Sequence, residues 1–230
     1  MGIALGVALG FVVAAATGIY QSADQTYSHN NLLQLGYAIH NFDANYGHLP
    51  HNTYAADGTP LLSWRVHLLP MLEQDALYRR FRLDEPWDSP ANYPLLKEMP
   101  RVFARPMTSP EDCKFLTHYR GFSNPGAVFE RRPGDSPLGQ PDRFGLGSFR
   151  DGRANTILVV EAADPVEWTK PDDLDASPGK PFPKLGGLRR DGVFQAVMGN
   201  VVIRRIPLDT PEDKLRALVT HSGGEPVTPD

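Results

Sequence analysis

Cysteine occurs once in this 230-residue chain, at Cys113, which excludes an internal disulfide and any multi-thiolate metal site. A lone thiol of this kind reads as a small, part-buried hydrophobe. Basic residues gather nowhere into a stripe. With 23 Lys and Arg against 27 Asp and Glu, the formal charge is -4, too mild and too mixed for an electrostatic footprint on nucleic acid. No nucleic-acid partner is expected. Charge is missing altogether from Met1 to Ala23, and no Lys or Arg stands on either side of the apolar run within it.

What occupies the charge-free stretch is an apolar run, Ile3 to Ala16, grading through Thr17-Gly18-Ile19-Tyr20. A bilayer core needs about 20 mostly apolar residues as a helix, and the run is just long enough. A cleaved secretory signal would carry a basic n-region, absent here, although Ala14-Ala15-Ala16 has the look of a cleavage site. A buried core helix would show a polar face. The expectation is a membrane anchor over residues 1–23, its orientation undecided by flanking charge. Gly2, Gly6 and Gly10 stand four apart, a spacing that lets membrane helices approach closely.

Beyond Asp24 the apolar pattern becomes one-sided. Leu32, Leu35, Ile39, Phe42 and Tyr46 recur at steps of three and four, one face of an amphipathic helix. No proline interrupts Ile19 to Asn45, so one helix is expected to run from the anchor to its stop at Gly47 and Pro50. Such a rod would measure about 65 Å.

Proline and glycine, 22 and 21 residues, punctuate the remainder with turns. His51 to Pro60 reads as a loop. Met71 to Phe81 reads as a helix with Leu72, Ala76 and Leu77 or Tyr78 inward. A second short helix starts near Ser89, tolerates Pro90 in its first turn, and carries Leu95, Leu96 and Met99. Thr156 to Val160 is a β-branched run of buried-strand type. Val193–Val197 and Val201–Ile206 flank Met198-Gly199-Asn200 as a hairpin, glycine supplying the turn. Thr210 is placed as the cap of a last short helix, with Pro211 at its first position. The fold class that follows is α+β: a long amino-terminal helix, transmembrane then amphipathic, against a mixed, mainly antiparallel sheet head.

Residues for chemistry are sparse. His40, His48 and His51 lie close to Asp43 but lack the one-turn spacing of a helical zinc pair; His40 beside Asp43 reads as a carboxylate–histidine bond. Asp84, Glu85 and Asp88 form an acid cluster, yet Pro86 and Trp87 stand where a calcium loop needs glycine, and capping by Asp88 or Ser89 is the plainer role. Glu161 and Asp164 could serve as glycosidase carboxylates, but a buried Glu161 holding the Trp168 loop explains the same residues. Ser63, Ser148 and Ser222 lie in no nucleophile elbow, and Gly145-Leu146-Gly147 opens no phosphate loop. Trp64, Trp87 and Trp168 read first as core, second as the lining of a ligand groove. No catalytic, cofactor-binding or metal-ligating set is expected, and the chain is not read as an enzyme.

The stretch Asn30-Asn31-Leu32-Leu33-Gln34-Leu35-Gly36-Tyr37-Ala38-Ile39-His40-Asn41-Phe42 resembles the start of a large bacterial family, abundant in planctomycete-type genomes, called domain of unknown function DUF1559. Ser63-Trp64-Arg65-Val66 with Leu68-Leu69-Pro70 and Leu72-Glu73-Gln74, Leu83 to Ser89, Asn155 to Glu161 and Trp168-Thr169-Lys170-Pro171 look like its later blocks, in the same order. The resemblance covers about residues 28–225. It implies a prepilin-type, pseudopilin-like layout; an older family label, SBP_bac_10, calls these solute-binding proteins. Met1 to Gly6 offers neither the processing site nor the early glutamate of prepilin-type members. Arg189, Gly199 and Asn200 stand where the family carries a histidine nine residues before an Asp-Gly turn.

The expected organisation is an anchor over 1–23 and an extracytoplasmic domain over 24–230, its helix 24–46 packed on a head spanning 51–230. The expected role is a single-pass, membrane-anchored pilin-like structural or protein-interaction protein of the cell envelope, with protein partners or self-association. The alternative is a tethered module binding a sugar or peptide.

Overall fold

Helix α1 spans Gly2–Tyr46 as one unbroken element of 45 residues. The structure, a computed structural model, describes residues 2–104, 112–132, 144–188 and 191–224, and of residues 2–21 the backbone alone. Among the described residues no helix is long and apolar enough to cross a membrane. The apolar run behind the anchor expectation for 1–23 lies almost wholly outside the residues whose side chains are described, as does Arg189.

The carboxyl-terminal half of α1 behaves as its three-and-four spacing dictates. Leu32, Leu35, Ala38, Ile39 and Phe42 are buried against the head. Tyr46, expected on the same face, is 54% exposed. The helix overruns the surface it covers, and the Tyr46 ring rests on Phe42 with centroids 4.5 Å apart. Gly36 lies close against β3. A Cβ there would meet Val197 Cγ2 at 2.7 Å, so only a residue without a side chain lets the two backbones lie this near.

The sheet is an antiparallel meander, β1 (Leu116–Arg120), β2 (Ile157–Glu167), β3 (Val193–Met198) and β4 (Ile203–Pro207), each strand beside its chain neighbour. The head is thus α+β with an antiparallel sheet. Strand β2 runs well past the expected Val160, to Glu167, and β1 carries too little apolar patterning to announce itself. Along β3, alternation sends Gln195 and Val197 toward α1, and Phe194, Ala196 and Met198 to the opposite face. That opposite face is covered by α4 (Glu212–Val219) through Leu215, Leu218 and Val219.

The helix expected over Met71 to Phe81 is broken. Short helices α2 (Trp64–His67) and α3 (Asp75–Tyr78) flank a 3-10 turn at Leu69–Leu72, and Glu73 sits in the left-handed region. Leu72 and Leu77 are buried as expected, whereas Ala76 is exposed because the break rotates it outward. Ser89 Oγ accepts the Asn92 amide at 3.2 Å in the preceding turn, but neither Asp88 nor Ser89 caps the helix, which is 3-10 over Tyr93–Glu98 with Asn92 at its cap position and no side-chain cap bond. Leu95, Leu96 and Met99 are buried.

Two turn assignments are corrected. In the β3–β4 hairpin the positive φ belongs to Val201 (65°), not to Gly199. Gly199 is needed for a different reason: a Cβ on it would meet the Arg153 carbonyl oxygen at 2.8 Å. Thr210 does not cap α4; its hydroxyl donates back to the Pro207 carbonyl at 2.7 Å, and Pro211 takes the cap position.

Candidate functional site

Polar groups buried between α1 and the sheet form the best-defined constellation in the molecule. Strand pairing sets Tyr119 of β1 directly opposite Glu161 of β2. Both are fully enclosed, as is Ser28 of α1 above them. The Ser28 hydroxyl donates to one Glu161 oxygen, and the Gln195 amide donates to the other at 2.7 Å. The Tyr119 hydroxyl donates to Ser28 Oγ at 3.1 Å and receives Asn31 Nδ2 at 3.3 Å. The bonds thus run in one direction, Asn31 to Tyr119 to Ser28 to Glu161, so that each polarises the next. Gln195 Nε2 adds a bond to the Gln25 carbonyl at 3.1 Å, and Gln25 reaches Asp191.

This clasp binds α1 to three strands of the sheet just where the helix leaves its apolar run. Removing one member strands its neighbours without water. Ser28→Ala is expected to cost about 1–3 kcal/mol, because Glu161 and Tyr119 each lose a buried partner. Urea denaturation reads the change as a lower midpoint; an unaltered midpoint would mean that the clasp contributes nothing.

A second buried cluster ties loops to the carboxyl end of β1. Arg65 and Asp173 pair at 3.2 Å with both side chains wholly enclosed. Asp173 also accepts Asn52 Nδ2 at 2.7 Å, Trp64 Nε1 at 3.2 Å and the Gly121 amide at 3.1 Å. Arg65 gives Nε to the Tyr119 carbonyl at 3.0 Å and Nη1 to Ser63 Oγ at 2.7 Å. Burial pushes the Arg65 guanidinium down to about 10, with Asp173 working against that fall. The set locks these loops together.

At the carboxyl end of α1 three imidazoles line up. His48 lies 5.5 Å from His51, and His51 stacks on His67 at 6.0 Å, ring centroid to ring centroid. His51 Nδ1 and His67 Nε2 are buried without a hydrogen-bond partner. Burial first, then the neighbouring imidazoles, hold His51 down to about 4 and His67 to about 3. Among the described residues no group of three His, Cys, Asp or Glu is set to hold a metal ion.

The residues singled out in the sequence fall as follows. His40 does not bond Asp43; its Nε2 sits 2.9 Å from the Gly199 carbonyl, and Asp43 accepts the Leu146 amide at 3.3 Å. Glu161 is buried as expected but holds α1 and β3 rather than the Trp168 loop. Trp168 is instead fixed by its own Nε1 on the Leu96 carbonyl at 2.9 Å. Asp164 is exposed three residues along β2, so the two carboxylates are not a facing pair. Trp64 and Trp168 are fully enclosed in the core and Trp87 is part-buried, so the three do not line one open groove. Cys113 is part-buried, as its type suggests. Nothing in the sequence singles out Ser28, Tyr119 or Asn92. Asn92 is enclosed and ties the 82–86 loop by donating to three of its carbonyls.

A long amino-terminal helix clasped through buried polar groups to a four-stranded antiparallel meander defines the structural class. The family described as "Protein of unknown function (DUF1559)" matches residues 21–196, well over half of the chain, and the protein belongs to that family. No curated protein and no solved structure matches it.

Proposed function

We propose that the protein is a pilin-like, membrane-anchored structural protein of the cell envelope, single-pass, with residues 24–230 outside the cytoplasm and protein contacts as its task. The observation that carries this reading is the continuity of α1 from Gly2 to Tyr46. The head grips the rod from Gln25 onward, through the clasp and the Leu32–Phe42 face. The residues before that grip include no charged side chain from Met1 to Ala23. A segment with that composition, projecting as the same helix, is matched to hydrocarbon in length and polarity. The absence of a facing catalytic pair among the described residues is compatible with a structural task and adds nothing further to it.

The test is alkaline extraction of membranes from cells expressing the full chain. The wild-type protein is expected in the extracted membrane pellet. Val12→Lys with Ala15→Lys is expected in the soluble fraction, since each lysine near a membrane helix centre costs about 2.5–3.5 kcal/mol. Wild-type protein found wholly soluble would end the proposal. Protease that spares the head in spheroplasts stripped of their outer layers would overturn the orientation.

A further inference from the structure

Helix α1 carries an outward face that is unlike a solvated one. The chain has 23 basic and 27 acidic residues, yet the first 46 positions include only two of them, Asp24 and Asp43, and neither is fully exposed. Every exposed position of α1 from Ser22 to Tyr46 bears an uncharged side chain, with histidine taken as neutral. Helix α4 is the contrast: its exposed first turn is Glu212, Asp213 and Lys214. Surfaces depleted of charge and enriched in tyrosine are those that meet protein.

The exposed residues also have a rhythm. Tyr27, Asn30, Gln34, Tyr37, Asn41 and Ala44 follow at steps of three and four, and all six are exposed. Tyr27 and Tyr37 show 55% and 59% of their surface, high for aromatic rings on a helix. That spacing gathers the six along one side of the helix, opposite the buried Leu32–Phe42 face, as a single uncharged stripe. Counted back along the helix, the same spacing falls on uncharged positions down to Gly6 and Gly2 in the sequence.

We infer that this stripe is the contact between two copies of the chain, laid parallel, helix α1 against helix α1. The inference rests on the membrane-anchored reading, which sets two copies side by side with identical residues at the same height. Three features select a second copy over another occupant. A parallel two-fold axis sets each residue against itself, and the amides of Asn30, Gln34 and Asn41 each hold both a donor and an acceptor, so they are self-complementary. A chain of net charge -4 repels its copy, and this strip adds no charge of its own to that repulsion. The stripe also continues in phase toward the segment proposed to lie in the membrane, whose glycine spacing suits close helix approach.

The experiment is cysteine cross-linking of the full chain in intact membranes. Cys113→Ser removes the sole native thiol. Into that background go Asn30→Cys, Tyr37→Cys and, as a control on the exposed face of α4, Lys214→Cys. Under mild oxidation the two stripe variants are expected to form disulfide dimers of twice the chain mass at least about tenfold more readily than the control, as a fixed seam raises local thiol concentration. Adding Gln34→Glu to Tyr37→Cys sets carboxylates face to face and is expected to cut its dimer several-fold. Co-expression with a Gln34→Lys partner is expected to restore it. Stripe yields no higher than that of Lys214→Cys, or an adduct of another mass, in protein that stays in the membrane pellet would overturn the self-pairing and leave the anchor standing. Protein absent from the pellet, with the stripe still cross-linking in solution, would overturn the anchor alone.

Discussion

Replacing Asp173 with alanine is expected to lower folding stability by about 3–5 kcal/mol, the largest single-site loss foreseen for this chain. The variant leaves the Arg65 guanidinium enclosed without its counter-charge. It also removes the acceptor used by Asn52, Trp64 Nε1 and the Gly121 amide. A domain of ordinary stability holds only about 5–15 kcal/mol in total, so the loss takes a large share of it. The double variant Arg65→Met, Asp173→Leu should be much milder, because it deletes both charges and fills the space with apolar atoms. Urea midpoints of Arg65→Met, Asp173→Leu and the double variant close the cycle. A double variant as damaged as Asp173→Ala would show that the stranded Asn52, Trp64 and Gly121 donors, and not the unpaired charge, set the cost.

Acidification is the second large effect. The unfolded chain protonates histidine near 6.5, whereas the folded chain holds His51 to about 4 and His67 to about 3. Between those values the unfolded state binds more protons, so stability is full above 6.5 and is lost as the pH falls. His221, held down mainly by burial, adds with the same sign. Arg132 and His48 are the cationic and titratable neighbours that oppose protonation of His51. From pH 7.5 to pH 5 the loss is expected at about 2–4 kcal/mol. Each imidazole contributes at most about 1.36 kcal/mol for every pH unit traversed below its unfolded value, and less where the ring is part-exposed. Asp175, drawn down to about 2 by Lys180 and Ser177, titrates mainly below this window. In His67→Leu the slope of stability against pH should flatten by close to one proton over pH 4.5–6. A slope equal to that of the wild type would remove His67 from the account.

Much of this architecture is readable in one dimension, and the limits of that reading follow from physics. The Leu32, Leu35, Ile39, Phe42 face is legible because helical periodicity repeats every turn over a proline-free stretch. Tyr46 continues the period, but nothing local records where the opposing surface ends. Strand β2 is legible at Ile157–Val160, where β-branched residues crowd together. Its continuation from Glu161 to Glu167 is held by pairing with β1 and by the bridge of Ala162 to Leu185, a tertiary effect invisible to local propensity. The clasp is hidden for the same reason: Ser28 and Glu161 meet across 133 positions, and neither carries a motif. A glycine in a hairpin suggests a turn on local grounds alone. Here Gly199 serves a close approach to Arg153, and Val201 supplies the unusual backbone angle.

The near-touching of Gly36 and Val197 gives the molecule a lever. Gly36 stands eight residues, about 12 Å, from the Ser28 anchorage, and the amino end lies about 39 Å beyond it on the same stiff rod. A substitution that lifts the helix by a few tenths of an ångström at Gly36 pivots it about Ser28, and the tip swings roughly three times as far. Variation at one small residue would therefore re-aim the distant end of the protein while its own neighbourhood hardly moved.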